Sequence, residues 1–318
     1  MRRAALVLAS TLLAVPAIAQ SSGPDGGRVT TPAPDSVSPE RFSERPADLA
    51  YGAYQRGLYI TALNLATPLA LQGDPAAQTL VAELYSRGFG VRRDMVTAME
   101  WYEKAAEQKV PEALFQLAMI LLDGGEELGD QERAYTLMQE AADAGNRMAQ
   151  FNFAQMTVSR DPSAAGMEKA ISYYEKAAQA GLADAQYAMA QAYELGIGGR
   201  QVDLAEARSW LEKAASQNFD TAQIDLGAWL VEGKGGDRDQ QAGFSWLLRA
   251  AAAGNPAAQN RVALLYRAGV GVEPDRVTAA AWYLRARRAG LIDQVMEDQL
   301  QGLTEEELEL ANRRAAIL

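Results

Sequence analysis

The sequence predicts an all-α solenoid of about seven helix-turn-helix repeats, closed by a C-terminal helical cap. Three markers recurring in phase predict it. Ala-Gln stands at Ala77-Gln78, Ala149-Gln150, Ala185-Gln186, Ala222-Gln223 and Ala258-Gln259, with Ala113-Leu114 filling the gap, at spacings of 36, 36, 36, 37 and 36. A small residue stands three before an aromatic residue or leucine at Ala98, Ala134, Ala170, Ala207, Gly243 and Ala279. A charged residue precedes alanine at Lys104, Glu140, Lys176, Lys213, Arg249 and Arg285. A period of this length marks units that bury their apolar faces by stacking on neighbours.

The elements before the array are of two kinds. Met1-Arg2-Arg3, the apolar run Ala4 to Ala14 and the small-x-small triplet Ala17-Ile18-Ala19 predict a signal peptide over residues 1–19, cleaved after Ala19. The apolar run is too short to span a bilayer. Residues 20–47 hold five of the 12 prolines, among glycines and serines. Such a segment has little to bury and is expected to be a flexible arm.

The array is expected over residues 48–290. In each unit a first helix such as "AAQTLVAELYSR" (76–87) precedes a second such as "MVTAMEWYEKAAEQ" (95–108), both with apolar residues at helical spacing. Ala82, Ala118, Ala154, Ala190, Gly227 and Ala263 let paired helices approach closely. Residues 48–76 form a shorter first unit that lacks a glycine turn.

Elsewhere the two helices are joined by Gly-x-Gly: Gly88 to Gly90, Gly196 to Gly198, Gly233 to Gly235 and Gly269 to Gly271, each followed by an aspartate. The first glycine suits the left-handed residue that ends a helix, and Asp94, Asp203, Asp239 and Asp275 suit the N-cap of the next. A phosphate-binding loop would need a preceding strand and a Lys-Ser/Thr after the last glycine. Neither is present, so these are read as turns. Two units depart from the pattern, with "GGEELGD" (124–130) and "SRDPSAAG" (159–166), and Lys109 stands where a glycine usually ends a second helix.

At the far end, Arg287 replaces the second alanine of the recurrent Ala-Ala pair, as expected where no further unit stacks. Residues 291–318 are read as capping helices, with a capping box at Thr304 and Glu307.

Composition narrows the chemistry. The chain has no histidine and no cysteine, which removes Ser-His-Asp and Cys-His catalysis and the usual zinc sites. No cofactor and no metal are expected. A net charge of −11 argues against nucleic acid as a partner. No segment after the signal peptide reads as a membrane span.

Units such as "AQTLVAELYSRGFGVRRDMVTAMEWYEKAAEQ" resemble the Sel1-like repeat, a 36-residue relative of the tetratricopeptide repeat. The resemblance rests on the Ala-Gln start, the Gly-x-Gly-Val turn and the Trp-Tyr-x-Lys-Ala-Ala run from Trp101 to Ala106. It implies a right-handed solenoid that works as a protein-binding scaffold or adaptor. With a signal peptide it implies a periplasmic or secreted protein, with regulation of an envelope or sensor-kinase pathway as one role. The alternatives are a cell-wall or polysaccharide-modifying enzyme using carboxylates, and a self-associating structural array. No catalytic residue is expected.

In such arrays the first helices line the concave groove, where a protein or peptide partner is expected. The residues after Ala-Gln or Ala-Leu are Thr79, Phe115, Phe151, Tyr187, Ile224 and Asn260. One turn later come Glu83, Met119, Gln155, Gln191 and Leu264. Together they form the candidate partner-binding groove, with an aromatic ladder at its centre.

Overall fold

The computed structural model describes residues 46–124 and 129–318. The expected signal peptide, nearly all of the expected arm and the middle of the "GGEELGD" turn lie outside the described residues. Among these the secondary structure is all-α, with 16 helices. They form two compact units that meet in sequence at Arg160 and Asp161.

The N-terminal unit holds α1 (Pro46–Gln55), α2 (Tyr59–Leu71), α3 (Pro75–Arg87), α4 (Met95–Glu107), α5 (Pro111–Asp123), α6 (Gln131–Asp143) and α7 (Arg147–Arg160). The C-terminal unit holds α8 (Ala164–Gln179), α9 (Ala183–Leu195), α10 (Leu204–Ser216), α11 (Asp220–Glu232), α12 (Gln240–Ala252), α13 (Pro256–Ala268), α14 (Arg276–Arg288), α15 (Gln294–Gln301) and α16 (Glu305–Ile317). Within each unit the repeat helices pack on their sequence neighbours, as an α-solenoid requires, and at the C-terminal end α16 packs on α14.

Small residues set the pairing inside a repeat. Ala82, Ala118, Ala154, Ala190 and Ala263 are buried, as are their partners Ala98, Ala134, Ala207 and Ala279. At α11 and α12 both positions are glycine. A Cβ on Gly227 would press on the Gly243 carbonyl oxygen, and one on Gly243 on the Gly227 carbonyl oxygen.

The turns do what the sequence predicts. Gly88, Gly196, Gly233 and Gly269 are left-handed C-caps. Asp94, Asp203, Asp239 and Asp275 accept hydrogen bonds from N–H groups of the following helix. Each aspartate N–H donates to a carbonyl of the first helix. The span is nine residues for Asp94 to Tyr85, Asp239 to Leu230 and Asp275 to Tyr266, and ten for Asp203 to Tyr193. The extra residue of the 37-residue unit therefore lies in this turn.

The second glycine of each turn seals a joint between repeats. Gly90, Gly198, Gly235 and Gly271 all have positive φ and lie against the start of the preceding second helix. A Cβ would meet the backbone of Tyr59 and Ile60, the Ile171 side chain, the Leu204 carbonyl and the Gln240 carbonyl respectively. Glutamines hold the other end of the joint. The side chains of Gln78, Gln150, Gln186, Gln223 and Gln259 are buried. Each Nε2 donates to the carbonyl eight residues earlier, on Ala70, Ala142, Ala178, Ala215 and Ala251, at 3.1–3.2 Å.

Second helices reach the next repeat through a left-handed residue, which is glycine at five such positions and Lys109 or Asn218 at two, with φ of 61° and 65°. At the C-terminal end Thr304 and Glu307 form the expected capping box. Arg287 pairs with Glu297 of α15 at 3.0 Å. Arg314 of α16 pairs with Asp275 at 2.7 Å and donates to the Thr278 hydroxyl.

Three stability effects follow. Gly271→Ala is expected to cost about 2 kcal/mol or more, because strained φ and a backbone collision coincide. Lys109→Gly is expected to gain up to about 1 kcal/mol by removing a left-handed side-chain residue. Urea midpoints of the two variants test both signs. Desolvation raises the Asp275 pKa, but hydrogen bonds from Thr278 and Arg314 outweigh it and bring the carboxyl down to about 2. A depressed folded pKa gives stability that is present above pH 4 or so and lost as pH falls toward 2. Asp275→Asn should flatten that part of the pH–stability curve, measured as the urea midpoint from pH 6 to pH 2.

Candidate partner-binding site

The expected ladder divides by burial. Phe115, Phe151 and Ile224 are 9, 5 and 7% exposed, which leaves almost no ring or methyl surface for a partner to grasp. Tyr187 is partly exposed. Its hydroxyl donates to Asp225 at 2.8 Å and its ring packs on Phe219. Thr79 donates back to the Pro75 carbonyl, and Asn260 donates to Asp293 at 2.9 Å. The apolar stripe is thus largely packing between helices, which is the usual fate of phenylalanine and isoleucine.

One turn later the residues differ more. Glu83 is tied into its unit: it accepts from the Tyr102 hydroxyl at 2.8 Å and pairs with Arg87 at 2.5 Å. Leu264 packs against the C-terminal core. Gln191 is partly buried, and its Oε1 has no hydrogen-bond partner among the described residues. Met119 and Gln155, by contrast, line an open cleft of about 470 Å³, a size that suits ligand side chains.

This cleft lies in the N-terminal unit, between the ends of α5 and α7 and the start of α6. Its apolar wall is Met119, Leu122, Tyr135 and Met156. Asp123, Gln131, Asn152, Ser159 and Arg160 form its polar edge. Arg160 is held in place, 4.6 Å over the Tyr135 ring and 2.8 Å from Glu132.

The departure from the repeat explains why the cleft exists. At the four Gly-x-Gly turns the second glycine closes the first helix onto the start of the preceding second helix. The turn after α7 has no Gly-x-Gly, and α7 continues through Ser159 and Arg160. The space between the end of α7 and Gln131 and Tyr135 is left unsealed. The missing glycines were legible in the sequence. The lining residues Leu122, Tyr135 and Met156 were not, because none follows the Ala-Gln register.

The first-helix surface of the C-terminal unit is closed by polar pairs instead. Asp225 and Arg261 are the only charged residues at their register, the others being Leu80, Gln116, Asn152 and Ala188. Burial pushes the Asp225 carboxyl up, opposed by the Tyr187 hydroxyl and the Arg261 charge. Lys234 pairs with Glu194 at 2.6 Å beside it.

Mutation separates packing from surface. Phe151→Ala should cost about 3 kcal/mol or more by opening a core cavity. Met119→Ala should cost less than about 1 kcal/mol, as a partly exposed side chain. Chemical denaturation of the two variants measures the difference.

Comparison with known proteins matches the Sel1 repeat over residues 75–110, 111–146, 154–182, 183–219, 221–255 and 256–291, well over half of the chain. A Sel1 repeat protein from Oxalobacter formigenes is 31% identical, with a TM-score of 0.62 over 81% of this chain and 77% of that one. The protective antigen c5321 of uropathogenic Escherichia coli, which displays an SLR fold, is 28% identical, with a TM-score of 0.69 over 85% of this chain. This chain spans 59% of that antigen's length. Chitin synthase regulatory factor 3 of Schizosaccharomyces pombe is 28% identical over 181 residues, and the match spans only 19% of that protein. No helix among the described residues is long and apolar enough to cross a membrane. A repeat scaffold with this period, these joints and this family match is a member of the Sel1 repeat family.

Proposed function

We infer that this protein is a periplasmic scaffold or adaptor that holds a partner protein or peptide, and that it regulates an envelope pathway by doing so. The observation that carries this is the open apolar cleft at one joint of an array whose other glycine-turn joints are sealed. A repeat surface with an open joint offers anchorage to a segment of another chain. The name of the fission-yeast relative, a regulatory factor of chitin synthase, fits a role in regulation rather than turnover.

The reading is of a non-enzymatic protein. Three carboxylates on the first helices are already engaged: Glu83 by Tyr102 and Arg87, Asp225 by Tyr187, Glu194 by Lys234. Location in the periplasm rests on the sequence of residues 1–19.

Cross-linking of the full chain in the envelope tests the scaffold. One defined partner is expected. Self-adducts alone would turn the reading into a structural array, and release of muropeptides or sugars by pure protein would make it an enzyme. Mass spectrometry of the secreted protein should find Gln20 as its first residue; an intact N-terminus in the cytoplasm would remove the periplasmic assignment.

A further inference from the structure

Resting on the scaffold reading, we propose that the cleft between α5, α6 and α7 takes the apolar face of a basic amphipathic helix from the partner protein. Met119 and Met156 line it beside Leu122 and Tyr135. Methionine is unbranched and polarizable, so a methionine-lined wall reshapes around different apolar anchors. A helix in such a groove is read through side chains at i, i+3 or i+4 and i+7. The volume of about 470 Å³ admits a few anchor side chains, with the helix body lying outside.

The sign of the partner's charge follows from the surroundings. The described residues of 111–160 carry six acidic and three basic side chains, 3 − 6 = −3, and Lys109 from just before them pairs with Glu140 at 2.8 Å. Two of the three basic residues are committed: Arg133 to Glu103 at 2.7 Å, and Arg160 to Glu132 at 2.8 Å. Asp123, on the cleft's edge, makes no ion pair among the described residues. Lysines or arginines flanking the anchors would meet unbalanced negative charge, whereas an acidic helix would be repelled. A second copy of this chain, with a net charge of −11, would bring the same sign.

The probe is a labelled peptide of about 18 residues, five helical turns, made of leucine and lysine with the leucines at helical spacing. Two controls share its length: a leucine/glutamate peptide, and the leucine/lysine composition scrambled to destroy the apolar face. Fluorescence anisotropy with the full chain should show micromolar binding of the first, and at least tenfold weaker binding of both controls. Raised salt should weaken it. Met119→Lys and Met156→Lys should each weaken binding at least tenfold, with unchanged helical circular dichroism. Methionine methyl NMR of the unmodified protein removes dependence on the variants. Met119 and Met156 should shift on binding while the core residues Met138 and Met189 do not.

Equal binding of the leucine/glutamate or scrambled peptide would overturn the proposal, as would methyl shifts that spare Met119 and Met156. An envelope partner captured equally by the lysine variants would overturn the cleft and leave the scaffold reading standing. Absence of any envelope partner would remove both.

Discussion

The array depends on one buried hydrogen bond, made at five of the six joints between repeats. A buried side-chain amide left without a partner costs free energy. In this chain a buried glutamine of the next repeat's first helix donates five times to an alanine carbonyl at the end of the preceding second helix, as a second donor beside the backbone N–H three residues after that alanine. Alanine at the acceptor matters as much as glutamine at the donor, because a larger side chain would hold the two helices apart. The amide oxygen can also be used: Gln78 accepts from Gln108 at 2.8 Å, and Gln186 from Gln217 at 2.7 Å. Where Leu114 replaces glutamine, the joint relies on apolar burial, and the residue before it in the left-handed region is Lys109 rather than glycine.

The second constraint is the close approach of the glycine turn to the preceding second helix. It leaves no room for a side chain and none for a ligand, so a sealed joint is a poor binding site. The cleft arises where that seal is absent. Met119, Tyr135 and Met156 line it, where α7 runs on through Arg160 without a Gly-x-Gly after it. The cleft is placed by a departure from the repeat, and the departure is one of backbone geometry before it is one of side-chain chemistry.

The same distinction explains what could be read from the sequence. Helix ends, caps and turns were legible, because glycine at positive φ and aspartate at an N-cap are local requirements of the backbone. The C-terminal helical cap and its capping box were legible for the same reason. The expected ladder was less so. In-phase residues show that positions are equivalent, but equivalence does not say which side of a helix meets solvent. Phe115, Phe151 and Ile224 are equivalent and buried, while Tyr187 at the same register keeps a partly exposed ring bonded to Asp225. Leu122 and Tyr135 belong to no marker and are placed in the cleft only by the packing of three helices.

A repeat protein can carry such an opening at little risk. Each repeat touches only its neighbours, so stability is close to a sum of repeat and nearest-neighbour terms. A loosened joint then lowers the total by its own share and leaves the remaining joints intact. In a single globular core the same omission would be felt by every packed residue around it. The irregular turns of the third and fourth repeats are therefore tolerable where they stand, with Gln150 still bonded to Ala142 across the joint that the cleft adjoins. That bond holds one end of the joint while the other stays open, and the arrangement makes a recess between packed helices.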